Sequence, residues 1–446
     1  MDSQTPTAPP VELPRRLGLL DSTNIVVGTM IGSAIFLVPS TIAQNVSSVE
    51  LTLAIWLIAG LVSMLGALAY AELGAMLPAS GGQYVYMREA WGPLTGFLCG
   101  WSLFLVARSG ATAAVAAGFA AYFTQFVPMP ASGSRVVAAA LILILTLVNY
   151  CGVRLGAGVQ NIFTALKVLG LAVMVLSSYF GRAPALPPQT ASTNDISAAQ
   201  LGAALIVCIF SYNGWFAVGM VGGEIKDPER NLPRAIMLGV SVVIVVYLLT
   251  NAAYFRTLTI SEIAGTQRVA EATAVRTMGA AGSAFVALTI LVSTLAATNS
   301  TIMSASRLYY AQARDGLFFQ SFGKIHPVFE TPHNALLGTG FWSAVLALTG
   351  SYIQLISYAT FSFWVLYGVT VAGLMVRRQR QPDAVRPYRM FGYPVTPIIF
   401  LIAAGGVAVF SFLSSPAAAL TGVGILAAGV PAYYLWLRFG APKKAV

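Results

Sequence analysis

Along this chain, apolar stretches of bilayer-crossing length alternate with short polar or Pro/Gly-rich breaks. They run over Leu17–Ala43, Glu50–Leu77, Leu94–Val127, Arg135–Tyr150, Leu155–Phe180, Ala198–Val221, Ala235–Phe255, Gly282–Tyr310, Asn334–Thr349, Tyr352–Val376, Val395–Leu413 and Ala417–Leu437. About 20 apolar residues are enough to span the hydrocarbon core. The pattern therefore predicts an all-α integral membrane protein of about twelve transmembrane helices. The amphipathic stretch Arg256–Met278 predicts short helices between the seventh and eighth spans.

Two of these spans carry the wrong residues at their centres. The first holds Gly28-Thr29-Met30-Ile31-Gly32-Ser33-Ala34-Ile35-Phe36, with Pro39 beyond. Glycine in a helix interior costs about 1 kcal/mol relative to alanine, and irregular backbone at membrane depth survives only inside protein or around a cavity. On this segment alone two readings stay open. One is an unwound helix presenting backbone groups to a ligand; the other is a close-packing face of the small-xxx-small kind, since Gly28 and Gly32 have that spacing. The sixth span repeats the anomaly in Ile209-Phe210-Ser211-Tyr212-Asn213-Gly214-Trp215-Phe216, a run of turn formers. The two breaks are five spans apart, so the segments run in opposite directions. That predicts a five-plus-five inverted repeat with helices 1 and 6 broken and meeting at a substrate site. The predicted divisions are a tail 1–16, a first repeat 17–180, a second repeat 198–376, two further helices over 391–438 and a tail 439–446.

Composition agrees. The chain is 57% hydrophobic and 9% charged, with mean hydropathy +0.76, outside the range of soluble domains. Its net charge of +10 is spread in small groups between spans, so membrane lipid and not nucleic acid is the partner it implies. Arg15, Arg16, Arg88, Arg154, Lys226, Arg230, Arg234, Arg307, Arg314 and Lys324, with the arginines of 377–389, Arg438, Lys443 and Lys444, fall on one side. Arg135, Arg182, Arg256, Arg268 and Arg276 fall on the other. The positive-inside rule then makes both termini cytoplasmic in a multi-pass protein of the cell (inner) membrane. Cys99, Cys151 and Cys208 offer no disulfide framework, and neither they nor His326 and His333 show metal-ligand spacing. With no cluster of acid, base and nucleophile at depth, no enzyme, metal or cofactor is expected.

Two ionisable groups lie far from any span end. Arg108 sits mid-way along the third, and Lys167 at the centre of the fifth, too far from either end to snorkel. An intramembrane charge faces the bundle interior with a partner. For Lys167 a coupling role and a structural brace are both open. Its ammonium is a cation carried by the chain, suited to the carbonyls of the broken first helix and a hydroxyl of the eighth, with Thr298, Ser300 and Thr301 as candidates. A buried lysine can also exchange a proton. At the breaks, amides starting a half-helix suit a carboxylate, and carbonyls ending one suit an ammonium. Neither break contains Asp or Glu, which favours backbone recognition of an ordinary α-amino acid.

At these residues the chain resembles the amino acid–polyamine–organocation superfamily, closest to its L-type amino acid transporter branch in a bacterial, stand-alone form. The likeness rests on Gly28–Phe36 and is supported by Pro78–Tyr84, Val159–Lys167, Glu224–Ile236, Ser304–Leu308 and Ile325–Pro327. The resemblance implies the twelve-helix fold and sodium-independent amino-acid exchange. It places the substrate carboxylate on the amides of Ser33 and Ala34, and the amine on carbonyls of Met30, Phe210 and Asn213. Ile31, Gly32 and Ser211 complete the lining, and Phe210 is the gate. Lys167 takes the place of a sodium ion, near Gly32 and Thr301. Three positions depart from the pattern: Ala34 replaces a glycine, Ala297 a hydroxylated residue and Phe216 a polar one. Pro128–Gly133 holds no cysteine, so no covalently linked ancillary subunit is expected.

The expectation is thus an alternating-access exchanger of small or medium neutral L-amino acids. A proton-coupled amino-acid or amine symporter is the alternative, and an amino-acid-binding membrane sensor is a weaker one.

Overall fold

The computed structural model describes residues 13–181, 196–349 and 352–440. Most of the N-terminal tail, Arg182, Lys443 and Lys444 lie outside the described residues. Among the described residues the regular structure is helical: α1 (Leu19–Met30), α2 (Ala34–Asn45), α3 (Val49–Met76), α4 (Gln83–Trp91), α5 (Pro93–Ser102), α6 (Arg108–Phe123), α7 (Ala131–Tyr150), α8 (Val153–Phe180), α9 (Ala198–Ser211), α10 (Ala217–Met220), α11 (Pro228–Thr257), α12 (Ile260–Gly265), α13 (Val269–Met278), α14 (Ala281–Arg314), α15 (His333–Thr349), α16 (Tyr352–Arg380), α17 (Val395–Ser414) and α18 (Pro416–Phe439). Among the described residues, eight helical segments are long and apolar enough to cross a membrane singly, with α5, the turn after it and α6 counted as one segment, and α1 with α2 makes a ninth. The pair α9–α10, together with α15 and α16, stands where the other expected spans fall.

The first span is broken, but over fewer residues than its composition suggests. Helix α1 runs through Gly28 to Met30, Ile31 turns extended at φ −78° and ψ 93°, and α2 resumes at Ala34. The two halves bend by 42°. Pro39 lies inside α2, where its missing N–H deprives the Ile35 carbonyl of a partner. The Tyr254 hydroxyl donates to that carbonyl at 3.3 Å. In the sixth span α9 continues through Phe210 and Ser211, so the break begins at Tyr212. Gly214 there adopts φ +128°, a conformation costly for any side chain.

Other boundaries moved for local reasons. Helix α11 starts at Pro228 rather than Ala235, because Pro228 fits a first helical position where no amide is required. The third span contains a π-helical turn, Leu103–Ala107, which ends against Arg108. Nothing in an all-apolar run marks such a turn. The amphipathic connection forms α12 and α13, and α12 lies over α2, where Gln44 Nε2 donates to the Ala264 carbonyl at 2.8 Å. Arg276 and the amide of Thr259 hold the Glu262 carboxyl down to about 2 on that lid.

Packing divides the helices into two groups. One gathers α1, α3 and α11. The other gathers α6, α7, α14 and α15 around its own small-residue core, including Ala113, Ala114, Ala138, Ile142, Ile302 and Leu336. Small side chains let helix backbones approach closely where lipid supplies no hydrophobic drive. Helix α8 and the face of α14 turned toward α1 lie between the groups, and the site lies there.

Candidate functional site

The two breaks touch. A Cβ built on Gly214 would stand 2.8 Å from Thr29 Cγ2 and 3.0 Å from the Met30 amide nitrogen. Only a residue without a side chain lets the sixth span's turn rest on the first span's. Behind the contact, the Tyr247 hydroxyl of α11 lies 2.9 Å from the Met30 carbonyl and 3.1 Å from the Ser211 carbonyl. One phenol thus joins the carbonyl ends of both half-helices. It has a single proton for two acceptors.

On the other side of the first break, Lys167 is wholly buried and its Nζ donates to the carbonyls of Gly28 and Ile31, both at 2.7 Å. Ser293 of α14 donates to the Ile31 carbonyl at 3.0 Å and lies 3.2 Å from that of Gly32. The ammonium therefore caps the end of α1, where the helix leaves carbonyls without intrahelical donors. Among the described residues no carboxylate forms an ion pair with Lys167 within 4 Å; its ligands are backbone oxygens, the donor set of an alkali cation.

The two glycines of the first span do different work. A Cβ on Gly28 would collide with the Gln160 amide and lie 2.8 Å from Thr164 Oγ1. Both side chains use that gap to approach the Asn24 carbonyl, each at 3.4 Å. Gly32 has no atom within 4 Å of such a position: it faces open space. So Gly28 belongs to a packing face and Gly32 to the lining of the break. From Gln160 a ladder of amides continues through Asn299 (3.1 Å) to Asn149 (2.7 Å), joining α8, α14 and α7.

The remaining expected residues fall as follows. Ser33 is buried and caps α2, whose first residue is Ala34, so the amides opening α2 face the break. Phe210 is half-buried, and its carbonyl accepts the Asn213 amide at 3.0 Å within the turn. Ser211 is buried, with its hydroxyl on the Val207 carbonyl at 3.2 Å. Asn213 Oδ1 accepts the Tyr367 hydroxyl at 2.6 Å. Thr301 donates to the Thr298 carbonyl at 2.8 Å and makes no bond to Lys167; Ser300 reaches Ile25 and Thr29. The eighth-span (α14) hydroxyl at the lysine's carbonyl cluster is therefore Ser293 and not Thr298, Ser300 or Thr301. Sequence reasoning missed Ser293 and Tyr247. Both lie on other helices, and only the periodicity of small polar residues along Ser293–Thr301 hinted at the first.

Arg108 is also buried. Its guanidinium bonds the Ser304 hydroxyl and lies 5.1 Å from the centre of the Phe216 ring, while Nε finds no acceptor. Phe216 packs on Tyr367 and Phe363 with ring centres 5.1 Å and 5.6 Å away. This cation closes one flank of the sixth-span break.

An α2 amide terminus opposite carbonyl ends of α1 and α9 gives positive and negative poles across one gap, complementary to a zwitterion. Two half-helices meeting inside a membrane bundle define a transporter of the broken-helix class. The chain belongs to the amino acid permease family, whose profile, described as "Amino acid permease", matches residues 17–436. It is 35% identical over 439 residues to the human (Homo sapiens) large neutral amino acids transporter small subunit 2, covering 95% of this chain and 81% of that protein. It is 34% identical over 447 residues to the Asc-type amino acid transporter 1 of Mus musculus, covering 98% and 84%. The b(0,+)-type amino acid transporter 1 of Mus musculus is 34% identical over 412 residues, covering 91% and 84%.

The glycines separate by experiment. Gly28→Ala and Gly214→Ala are expected to cost about 1–3 kcal/mol each by overpacking, read as a lower melting midpoint of the purified protein. Gly32→Ala is expected to keep the wild-type midpoint and lose the upward shift that bound substrate gives. Equal destabilisation by all three would reduce the motif to a packing face.

Proposed function

We propose that the protein is a sodium-independent exchanger of small or medium neutral L-amino acids, working by alternating access. The observation that carries this reading is the Lys167 ammonium seated on the Gly28 and Ile31 carbonyls. A fixed cation at the break leaves no need for a transported sodium ion there. The substrate carboxylate then meets the amides of Ser33 and Ala34. Its ammonium meets the carbonyl cluster of Met30 and the sixth-span turn, where the Met30 carbonyl also accepts the Gly32 amide at 3.0 Å and the Ser211 carbonyl shares the single Tyr247 proton with it. Phe210 closes over the bound molecule, with Ile31, Gly32, Ser211 and Asn213 around it. The relative named for large neutral amino acids supports a neutral amino acid as the substrate; the smaller size rests on Ala34.

In the transport cycle the group holding α1, α3 and α11 rocks against α6, α7, α14 and α15. The breaks in corresponding spans support an inverted repeat of 17–180 with 198–376. The arginine-rich face is cytoplasmic, both termini included, in the cell (inner) membrane. The protein works without a covalently attached subunit: its exposed cysteine, Cys151, lies at the far end of α7 from Pro128–Gly133, which the structure divides between a short connection and the first turn of α7.

Reconstitution into proteoliposomes tests the reading. Radiolabelled neutral amino acid is expected to enter only vesicles preloaded with amino acid, with sodium irrelevant. Entry into empty vesicles driven by an inward proton gradient would replace exchange by symport, with Lys167 as the proton carrier. Tight binding without movement would mark a sensor.

Lys167→Ala is expected to insert normally and to lower uptake by about one to two orders of magnitude, since losing the buried charged donor leaves the Gly28 carbonyl unsatisfied at about 1–3 kcal/mol and the Ile31 carbonyl with Ser293 alone. Wild-type uptake by that variant would remove the lysine from the mechanism. Ala34→Gly is expected to admit larger side chains by removing a methyl at the carboxylate end. An unchanged profile across a panel of labelled amino acids would refute that.

A further inference from the structure

Two of the segments on which the family likeness rests, Glu224–Ile236 and Ser304–Leu308, have no part in the substrate site. Their first acid and their arginine meet. Arg307 Nε donates to Glu224 Oε1 at 2.7 Å and Nη2 to Oε2 at 3.2 Å, and both side chains are completely buried. Arg307 Nη1 also donates to the Met303 carbonyl at 3.0 Å and the Ser306 hydroxyl at 3.1 Å, so the arginine is anchored to α14. The Glu224 carbonyl meanwhile accepts the amides of Arg16 at 2.8 Å and Leu17 at 2.9 Å, and the Lys226 amide donates back to the Leu17 carbonyl at 2.9 Å. This is a short parallel bridge between the lead-in to α1 and the turn after α10. The Arg16 guanidinium pairs with Glu330, beyond α14.

Glu224 is therefore a single residue whose backbone holds the start of the first span and whose carboxylate holds the eighth. The two belong to different packed groups. The same turn is sealed from the other side, where the Gly81 amide donates to the Met220 carbonyl at 2.8 Å. A Cβ on Gly222 would lie 3.1 Å from the Ala79 carbonyl.

We propose that the Glu224–Arg307 pair is the latch of the arginine-rich face: it closes that side of the path and parts in each transport cycle. The inference rests on the alternating-access reading above. Its physical basis is the asymmetry of buried ion pairs. Coulomb attraction between two desolvated ions roughly offsets the cost of desolvating them, so such a pair adds little net stability. When the two groups separate, water enters and both ions are rehydrated. The pair closes tightly by geometry, yet opens without exposing apolar surface. A hydrophobic contact in the same place would close as well and resist opening, because each exposure of apolar area costs about 25 cal/mol per Å².

That argument gives two variants opposite signs. Glu224→Gln leaves Arg307 buried without its counter-charge and favours the open face. The double variant Glu224→Leu with Arg307→Met replaces the ions by apolar side chains of similar length, keeps the fold and favours the closed face. Hydrogen–deuterium exchange of the full-length protein in lipid nanodiscs, without substrate, reads the amides of Leu17 and Lys226. Exchange in Glu224→Gln is expected to be about tenfold faster than wild type and in the double variant about tenfold slower. The amides of α7 should be unchanged in both. Turnover of the double variant should fall accordingly. The latch is overturned if Glu224→Gln exchanges like wild type. It is equally overturned if the double variant loosens the same amides, since the pair would then be a brace. Because exchange is read without substrate, failure of wild type to carry amino acids would sink the proposed function and leave this readout separate.

Discussion

A helix that unwinds inside a bilayer frees amides and carbonyls where no water can satisfy them, and each such group left alone costs about 1–3 kcal/mol. The structure of this permease is arranged around that constraint. At the end of α1 the Gly28 and Ile31 carbonyls are met by Lys167, Ile31 by Ser293 as well, and Met30 by Tyr247; the carbonyl orphaned by Pro39 is met by Tyr254. These donors come from α8, α14 and α11, so the site brings neighbouring helices to a common point. Removing one is a local loss of a donor and a general loosening of the bundle around it. The constraint also explains why a lysine is tolerable at this depth, since an ammonium ion buried among carbonyl oxygens is solvated by the backbone it caps.

The parts of the fold legible in the sequence were those where chemistry conflicts with the membrane. Glycine, serine and asparagine at mid-span marked both breaks, and Lys167 stood out as a charge without water. The extents of the breaks were not legible. Gly28 looks like Gly32 in sequence, yet one is helical beneath Gln160 and the other borders open space. Phe210 sits among turn formers but stays within α9 because its neighbours pack as a helix. The donors supplied from other helices were hidden for a different reason. A serine or tyrosine in a spanning helix carries no mark of which carbonyl it will reach, and the different heights and faces of Ser293, Thr298, Ser300 and Thr301 along α14 name no partner by themselves.

The same limit applied to Arg307 and Glu224. Arg307 read as one basic residue of the orientation pattern, and Glu224 as the first residue of a family-like segment. Their complete burial against one another comes from the turn after α10 folding beneath the lead-in to α1. Arg108 is the contrasting case: also buried, it meets a serine and an aromatic face and no carboxylate. Arg307 and Arg108 are thus a matched and an unmatched guanidinium in the helical interior, and they differ in what each can exchange for water when the helices move.

The contact at Gly214 bears on how proteins of this kind diverge. With the turn of the sixth span resting on Thr29 and Met30 and no side chain between, neither break can enlarge a residue toward the other without displacing it. A lineage that alters its cargo is thereby denied the centre of the site as a place to vary. Diversity must accumulate on the perimeter, at positions such as Ala34, Phe216 and the facing wall of α16, while the backbone junction is inherited intact.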